Sequence, residues 1–186
     1  MSLLIADADR AAASGDLARA IHLLEQAGEA DPGQPQLWLK LAALRRASGQ
    51  PAKALDAVNR ALAVAELDFM ALTMRASLIE RLSPSQAGEA WANALAQRPS
   101  GDIPPQLAEA LAKGEIIRDR WIAERKAKLD RVTVPVLEGA SPAEAARIAR
   151  FQSNVLRKTR VYHSEPTHFA FPGLAEREFH PREEHG

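Results

Sequence analysis

The sequence contains no cysteine, and this absence excludes disulfide bonds, thiolate metal sites and a thiol nucleophile together. Its formal net charge is zero, so no overall field draws the chain toward nucleic acid or an anionic membrane. No window approaches the roughly 18 consecutive apolar residues of a membrane span. The opening MSLLIADADR has acids where the apolar core of a signal peptide would continue. We therefore expect a soluble, cytoplasmic protein that binds neither membrane nor nucleic acid.

Aromatic residues are also scarce, at 5%, and runs of β-branched residues are nearly absent before residue 132. Alanine and leucine dominate instead, and both favour the helix. This composition predicts helix over about the first two-thirds of the chain.

The chain does contain an internal repeat with a spacing of 34 residues. Gly15 and Gly49 lie at this spacing, and so do two triplets of mostly small residues. The triplets are Ala20, Leu24 and Ala27, then Ala54, Val58 and Ala61. Small outer residues let two helices approach closely, while the middle residue fills the gap between them. A 34-residue unit of helix, turn and helix is the pattern of tetratricopeptide repeats, which must stack to bury their apolar faces.

A third unit fits with one residue deleted in its turn, since Ala87, Trp91 and Ala94 continue the triplet pattern. Its turn, Leu82-Ser83-Pro84, has no glycine, so this unit is degenerate. We predict a mainly α fold: a tetratricopeptide-type array with closing helices and a short C-terminal strand or loop segment. Residues 1–100 hold about three repeats, residues 101–131 a linker and closing helix, and residues 132–158 a connector and a further helix.

The inner groove of such an array is lined mainly by the first helix of each unit. Helical spacing predicts the following exposed groove residues: Gln36, Lys40 and Arg46 in the second unit, then Thr73, Ser77 and Glu80 in the third. We expect a protein or peptide partner there. The Lys and Asn pairs by which chaperone-binding arrays clamp a C-terminal carboxylate have no counterpart, which disfavours that partner.

The amino-acid composition of the sequence changes after about residue 158. Residues 151–180, FQSNVLRKTRVYHSEPTHFAFPGLAEREFH, resemble the opening of the aspartyl/asparaginyl β-hydroxylase domain of bacterial proteins, some of which carry tetratricopeptide repeats ahead of that domain. The resemblance implies a double-stranded β-helix dioxygenase that uses Fe(II) and 2-oxoglutarate, with residues 159–186 as its incomplete start. An eight-stranded barrel needs on the order of 100 residues or more, whereas six follow His180. We therefore assign no catalytic, cofactor-binding or metal-binding residue, and expect no catalysis by these residues alone.

Two clusters of polar residues near the C-terminal end of the sequence suggest more specific functions. His163 and Glu165, with His168 or His180 as a third ligand, imitate a facial iron triad. Strand alternation sends residues 163 and 168 to opposite faces, which favours packing or substrate contacts over iron ligation. A run without acids from 145 to 164 consists of Arg147, Arg150, Arg157, Lys158 and Arg160. Because the chain lacks overall positive charge and aromatic interleaving, the basic face of an amphipathic helix is favoured over nucleic-acid binding.

Two functions remain open on the sequence alone. One is the non-catalytic, substrate-positioning arm of a β-hydroxylase-like protein, whose catalytic domain is itself a candidate occupant of the groove. The alternative is a free-standing tetratricopeptide adaptor that binds a protein or peptide.

Overall fold

The computed structural model describes residues 2–101 and 103–162, and all regular structure in these residues is helical. The α-helices are α1 (Ser2–Ala13), α2 (Leu17–Ala30), α3 (Pro35–Ala47), α4 (Pro51–Val64), α5 (Phe69–Leu82), α6 (Ala87–Ala96), α7 (Ala108–Leu137) and α8 (Pro142–Val155). Each helix packs against the next, and α5 also contacts α7. The predicted mainly α, tetratricopeptide-type array is confirmed. The predicted C-terminal strand falls almost wholly on residues outside the described part of the chain.

The turns inside the first two helix pairs have the same geometry. Gly15 and Gly49 adopt φ values of +83° and +76°, in the left-handed region that glycine enters without steric cost. In both turns the N–H after the glycine donates to a carbonyl five residues earlier, at 2.9 and 2.8 Å. The third pair is joined instead by a 3₁₀ turn, Pro84–Gln86. The degenerate third turn is thus confirmed.

The core follows the triplets that define the repeat. None of the nine triplet residues of α2, α4 and α6 is more than 3% exposed. Alanine at the outer positions lets neighbouring helices approach, so the larger middle residues, Leu24, Val58 and Trp91, fill the space between them. The helix-packing role predicted for these residues is confirmed.

Helices α6 and α7 are interlocked by two tryptophan–glycine contacts that run in opposite directions. A Cβ added to Gly114 of α7 would lie 2.3 Å from Cε3 of Trp91, a residue of α6 that is 1% exposed. A Cβ added to Gly88 of α6 would lie 2.3 Å from Cβ of Trp121 on α7. Each glycine therefore makes room for an aromatic residue of the other helix, which brings the two backbones close together.

Helix α7 is longer than the sequence predicted, and the expected end near residue 131 is wrong. It runs for 30 residues and includes Pro135 in its last turn. The β-branched residues from 132 onward favour strand in isolation, but Thr133 holds this turn in the helix. Its hydroxyl donates to the Leu129 carbonyl at 3.0 Å and accepts from Gln152 of α8 at 2.8 Å. Pro135 has no N–H and therefore removes one i→i−4 backbone bond from this last turn.

Helix α8 begins at a capping box formed by Ser141 and Glu144. The Ser141 side chain accepts from the N–H of Glu144, whose carboxylate accepts in return from the Ser141 N–H at 2.8 Å. Hydrogen bonding from the Ser141 hydroxyl is the largest of the causes that lower the pKa of Glu144 below its ordinary value, followed by the bond from the Ser141 backbone. The helix ends at Val155, slightly before the expected end near Lys158.

Within residues 2–101 and 103–162, no helix combines the length and the apolar character that a bilayer crossing requires.

Candidate functional site

A groove of about 560 Å³ lies between α5 and α7, with α6 behind it. Its lining consists of Ser77, Glu80 and Arg81 from α5, Trp91 from α6, Gln106 from the turn before α7, and Glu109, Ala110 and Lys113 from α7. Two of the predicted groove residues, Ser77 and Glu80, line it. The groove is open, and therefore suits a few side chains of a bound peptide better than a small molecule that must be enclosed.

The carboxylate of Glu80 is held in place by two contacts within this groove. One carboxylate oxygen accepts a hydrogen bond from the indole N–H of Trp91 at 3.2 Å, and the other forms an ion pair with the ammonium of Lys113. The Glu80 side chain is 21% exposed, while that of Lys113 is 65% exposed. The carboxylate is therefore held by two neighbouring helices and cannot turn freely toward a ligand.

A similar ion pair joins α1 and α3, the first helices of the first two helix pairs. The ammonium of Lys40 on α3 lies 2.9 Å from both carboxylate oxygens of Asp9 on α1. Gln36 and Arg46 are exposed on the same helix as Lys40, as predicted. Opposite charges on neighbouring first helices thus pair across the array, so these side chains contribute little net charge to the surface they share.

Thr73 is buried, so the prediction that it is an exposed groove residue is wrong. It is 3% exposed, and its hydroxyl oxygen has no hydrogen-bond partner among the described residues. Helical spacing identifies the face of α5 but not how deeply the neighbouring helices bury each position. Thr73 is therefore a core residue and cannot contact a ligand.

Sequence reasoning missed the part of the groove that α7 supplies. Gln106, Glu109 and Lys113 belong to no repeat unit, so the 34-residue spacing has no position for them. The sequence feature that could have indicated this part of the groove is Gly114, because a glycine inside a helical pattern marks a close approach of another element. That element is α6, whose Trp91 forms the back of the groove.

The described residues contain no group of three or more histidine, cysteine, aspartate or glutamate side chains placed to hold a metal ion. His163, Glu165, His168 and His180 lie outside those residues.

Comparison with protein families identifies the repeats directly. Residues 11–78 match the tetratricopeptide repeat family model. This stretch spans α2, α3, α4 and most of α5, and it contains both glycine turns and the first two triplets. The repeats of this stretch are thus similar to tetratricopeptide repeats. No curated protein sequence matches the chain.

Solved structures share the same array. The first tetratricopeptide domain of Spaghetti (RPAP3), solved with the HSP90 peptide SRMEEVD, is 20% identical with a TM-score of 0.53, and the match covers 64% of this chain and 90% of that one. The translocator chaperone SycD of Yersinia enterocolitica is 15% identical, with a TM-score of 0.53 and coverage of 67% and 85%. The Sgt2 tetratricopeptide domain of Aspergillus fumigatus is 24% identical, with a TM-score of 0.53 and coverage of 68% and 81%. These likenesses show the fold.

None of these matches concerns an aspartyl/asparaginyl β-hydroxylase. Of the residues that carry that resemblance, 151–162 are described, and they complete α8 and a short segment after it.

Proposed function

We propose that this chain is a protein-interaction module whose groove between α5 and α7 holds a peptide segment of a partner protein. The observation that supports this best is the groove itself, which is open, about 560 Å³ in volume, and lined mainly by polar side chains of α5 and α7. The α6–α7 interlock fixes α7 against Trp91 at the back of the groove. A rigid wall with adaptable polar residues suits the side chains of an extended or helical peptide.

The charges of the groove favour a particular kind of peptide. Glu80 and Lys113 neutralise each other, which leaves Arg81 and Glu109 as one positive and one negative side chain that form no ion pair within the described residues. Recognition should therefore depend on hydrogen bonds, one acidic contact and one basic contact. Binding of this kind changes only modestly with salt, because no large field steers the partner.

Peptides selected from a random displayed library against the full chain provide the test. Each selected peptide is then titrated by fluorescence anisotropy against the native chain, Lys113→Glu and Lys128→Glu. The first substitution places a second acid beside Glu80 in the groove, whereas Lys128 is an exposed residue of the same helix outside the groove lining. We expect at least a tenfold loss for Lys113→Glu and less than a twofold change for Lys128→Glu. Equal losses for both variants would contradict the assignment of the groove.

A peptide with a free C-terminal carboxylate provides a second probe. The neighbouring Spaghetti domain was solved with SRMEEVD, but the inner first helices of this chain present Asp9 paired with Lys40 where a carboxylate clamp would need unpaired cations. We expect SRMEEVD and its C-terminal amide to bind equally weakly. A clear preference for the free acid would show that a clamp exists.

The narrower hypothesis is that the array positions a substrate for a β-hydroxylase-like domain that uses Fe(II) and 2-oxoglutarate. Its support is the resemblance of residues 151–180 alone. The free-standing adaptor fits the fold equally well, and both hypotheses use the same groove.

A further inference from the structure

The chain turns back sharply where α8 ends. Arg157 adopts a φ of +53°, the left-handed region that side chains other than glycine rarely enter. The N–H of Lys158 donates to the Ser153 carbonyl at 2.9 Å, which closes the turn. Leu156, just before it, is 2% exposed. The seven residues from Leu156 to Tyr162, here called the return segment, are therefore directed back onto the array.

One end of the return segment is held by a charge on α6. The guanidinium of Arg157 lies 3.1 Å from the Glu89 carboxylate, and Arg125 of α7 approaches the same carboxylate at 3.8 Å. Both Arg157 and Glu89 are more than 40% exposed, so water and salt weaken this ion pair. The predicted basic face of the 147–160 run thus has an acid of α6 as a partner.

The other end is held through the main chain. In the amide orientation that satisfies both groups, the Gln97 side chain donates to the Val161 carbonyl at 3.2 Å and accepts from the Val161 N–H at 3.0 Å. Gln97 is 6% exposed and follows directly after α6. A side-chain amide that pairs with both groups of one residue recognises extended backbone, whatever the side chain.

The return segment reaches two points of α6 that lie eight positions apart. Glu89 and Gln97 are separated by about 12 Å at the helical rise. The segment is not straight between them, because Arg157 lies in a left-handed turn and the chain bends at Thr159. It contacts the first turn of α6 through Arg157 and the residue after α6 through Val161.

A depression of about 270 Å³ lies beside the start of the return segment, whose Arg157 and Lys158 form one of its walls. Its apolar part consists of Ala92, Leu95 and Ala96 of α6 with Ile122 of α7. None of these residues lines the groove between α5 and α7. We call this surface, with Glu89 and Gln97 at its ends, the α6 track.

We propose that the α6 track is a second peptide-binding site, that the return segment occupies it in cis, and that an external peptide with arginine four residues before the main-chain contact competes for it. Beyond the buried Leu156, the segment is suited to exchange, because Val161 and Tyr162 are 56% and 75% exposed and bury little apolar surface. Linkage to α8 holds it in place mainly through a high effective concentration, of the order of millimolar for a short tether.

The test uses the full chain and a labelled peptide, acetyl-LRKTRVY-amide, which reproduces the return segment. Arg157→Glu with Val161→Pro weakens the cis segment, because the first change reverses the charge and the second removes the N–H that Gln97 binds. The α6 track itself is unchanged. We expect the peptide to bind this double variant at least tenfold more tightly than the native chain by fluorescence anisotropy.

Changes in the track then identify the site. Gln97→Ala in the double variant should weaken the peptide at least fivefold, whereas Gln86→Ala, which removes an exposed amide at the opposite end of α6, should leave it unchanged. Glu89→Gln should weaken acetyl-LRKTRVY-amide but not the same peptide with glutamate in place of its first arginine. This comparison of two peptides remains informative even if Gln97→Ala lowers stability. Each variant is first matched to its parent in helicity and melting temperature.

Equal binding to the native chain and the double variant, absence of binding to the double variant, or equal effects of Gln97→Ala and Gln86→Ala would each overturn the proposal. Peptides selected for the groove between α5 and α7 should not displace acetyl-LRKTRVY-amide, so the two sites are tested separately.

Discussion

Replacing Gly114 by alanine should destabilise the protein, although alanine is the better helix former. The added methyl group would lie 2.3, 2.6 and 2.7 Å from three ring carbons of Trp91, well inside van der Waals contact. Trp91 is 1% exposed and its indole N–H donates to Glu80, so the ring is held in place by packing and by a hydrogen bond. Helices α6 and α7 must therefore move apart by roughly the 1 Å that separates 2.3 Å from a tolerable contact.

The expected magnitude follows from two opposing effects. Overpacking a well-filled core costs about 1–3 kcal/mol, and contact with an immobile ring places this site near 3. Replacing glycine by alanine within a helix stabilises the helix by about 1 kcal/mol. The difference is a loss of about 2 kcal/mol in the free energy of unfolding. For a domain of this size that corresponds to a melting temperature lower by about 4–8 °C.

Urea unfolding followed by circular dichroism measures the loss, with Gly139→Ala as the matched control because nothing lies within 4 Å of its added methyl. A smaller ring should relieve the clash, so Trp91→Phe combined with Gly114→Ala should cost less than the sum of the two single changes. If Gly114→Ala were as stable as the native protein, or if the two changes were additive, the interlock would be refuted.

Three further outcomes are expected. Gly15→Ala should cost about 1–2 kcal/mol in urea unfolding from its left-handed backbone alone, since its methyl group meets open space; an unchanged stability would contradict the turn. Because the pKa of Glu144 is lowered in the folded state, its capping of α8 is fully present above the ordinary carboxyl range and is lost as the pH falls through the lowered pKa. Ser141→Ala should raise that pKa toward its ordinary value in an NMR titration, and a pKa that stays low would show that another group sets it. Fe(II) with 2-oxoglutarate should leave the melting temperature of this chain unchanged, and a rise of several degrees would reveal a binding site.

The repeat was predictable because its evidence is local and periodic. Glycine is favoured where the chain turns through the left-handed region, as at Gly15 and Gly49. Small residues are favoured where two helices approach closely, as at the outer positions of the triplets. These requirements depend on residue type and spacing alone, so the sequence carries them in a readable form. The turns and the triplet residues of the first three helix pairs were accordingly predicted correctly.

The remaining features depend on contacts between elements that no spacing connects. Thr73 has the spacing of a groove residue, yet packing buries it. Residues 132–137 have the composition of a strand, yet the two hydrogen bonds of Thr133 keep them helical. Lys113 completes the groove from a helix outside the repeats. Such tertiary effects override local preference, and a single sequence does not display them.

The interlock between α6 and α7 also determines how the molecule would respond to mechanical force. No residue of α8 is buried, and the buried apolar residues of α1 are two alanines, Ala8 and Ala11. In a stacked array each element is held only by its neighbours. When the two ends of the chain are pulled apart in an optical trap, we expect α8 and α1 to detach at low force, while α6 and α7 extend last and together.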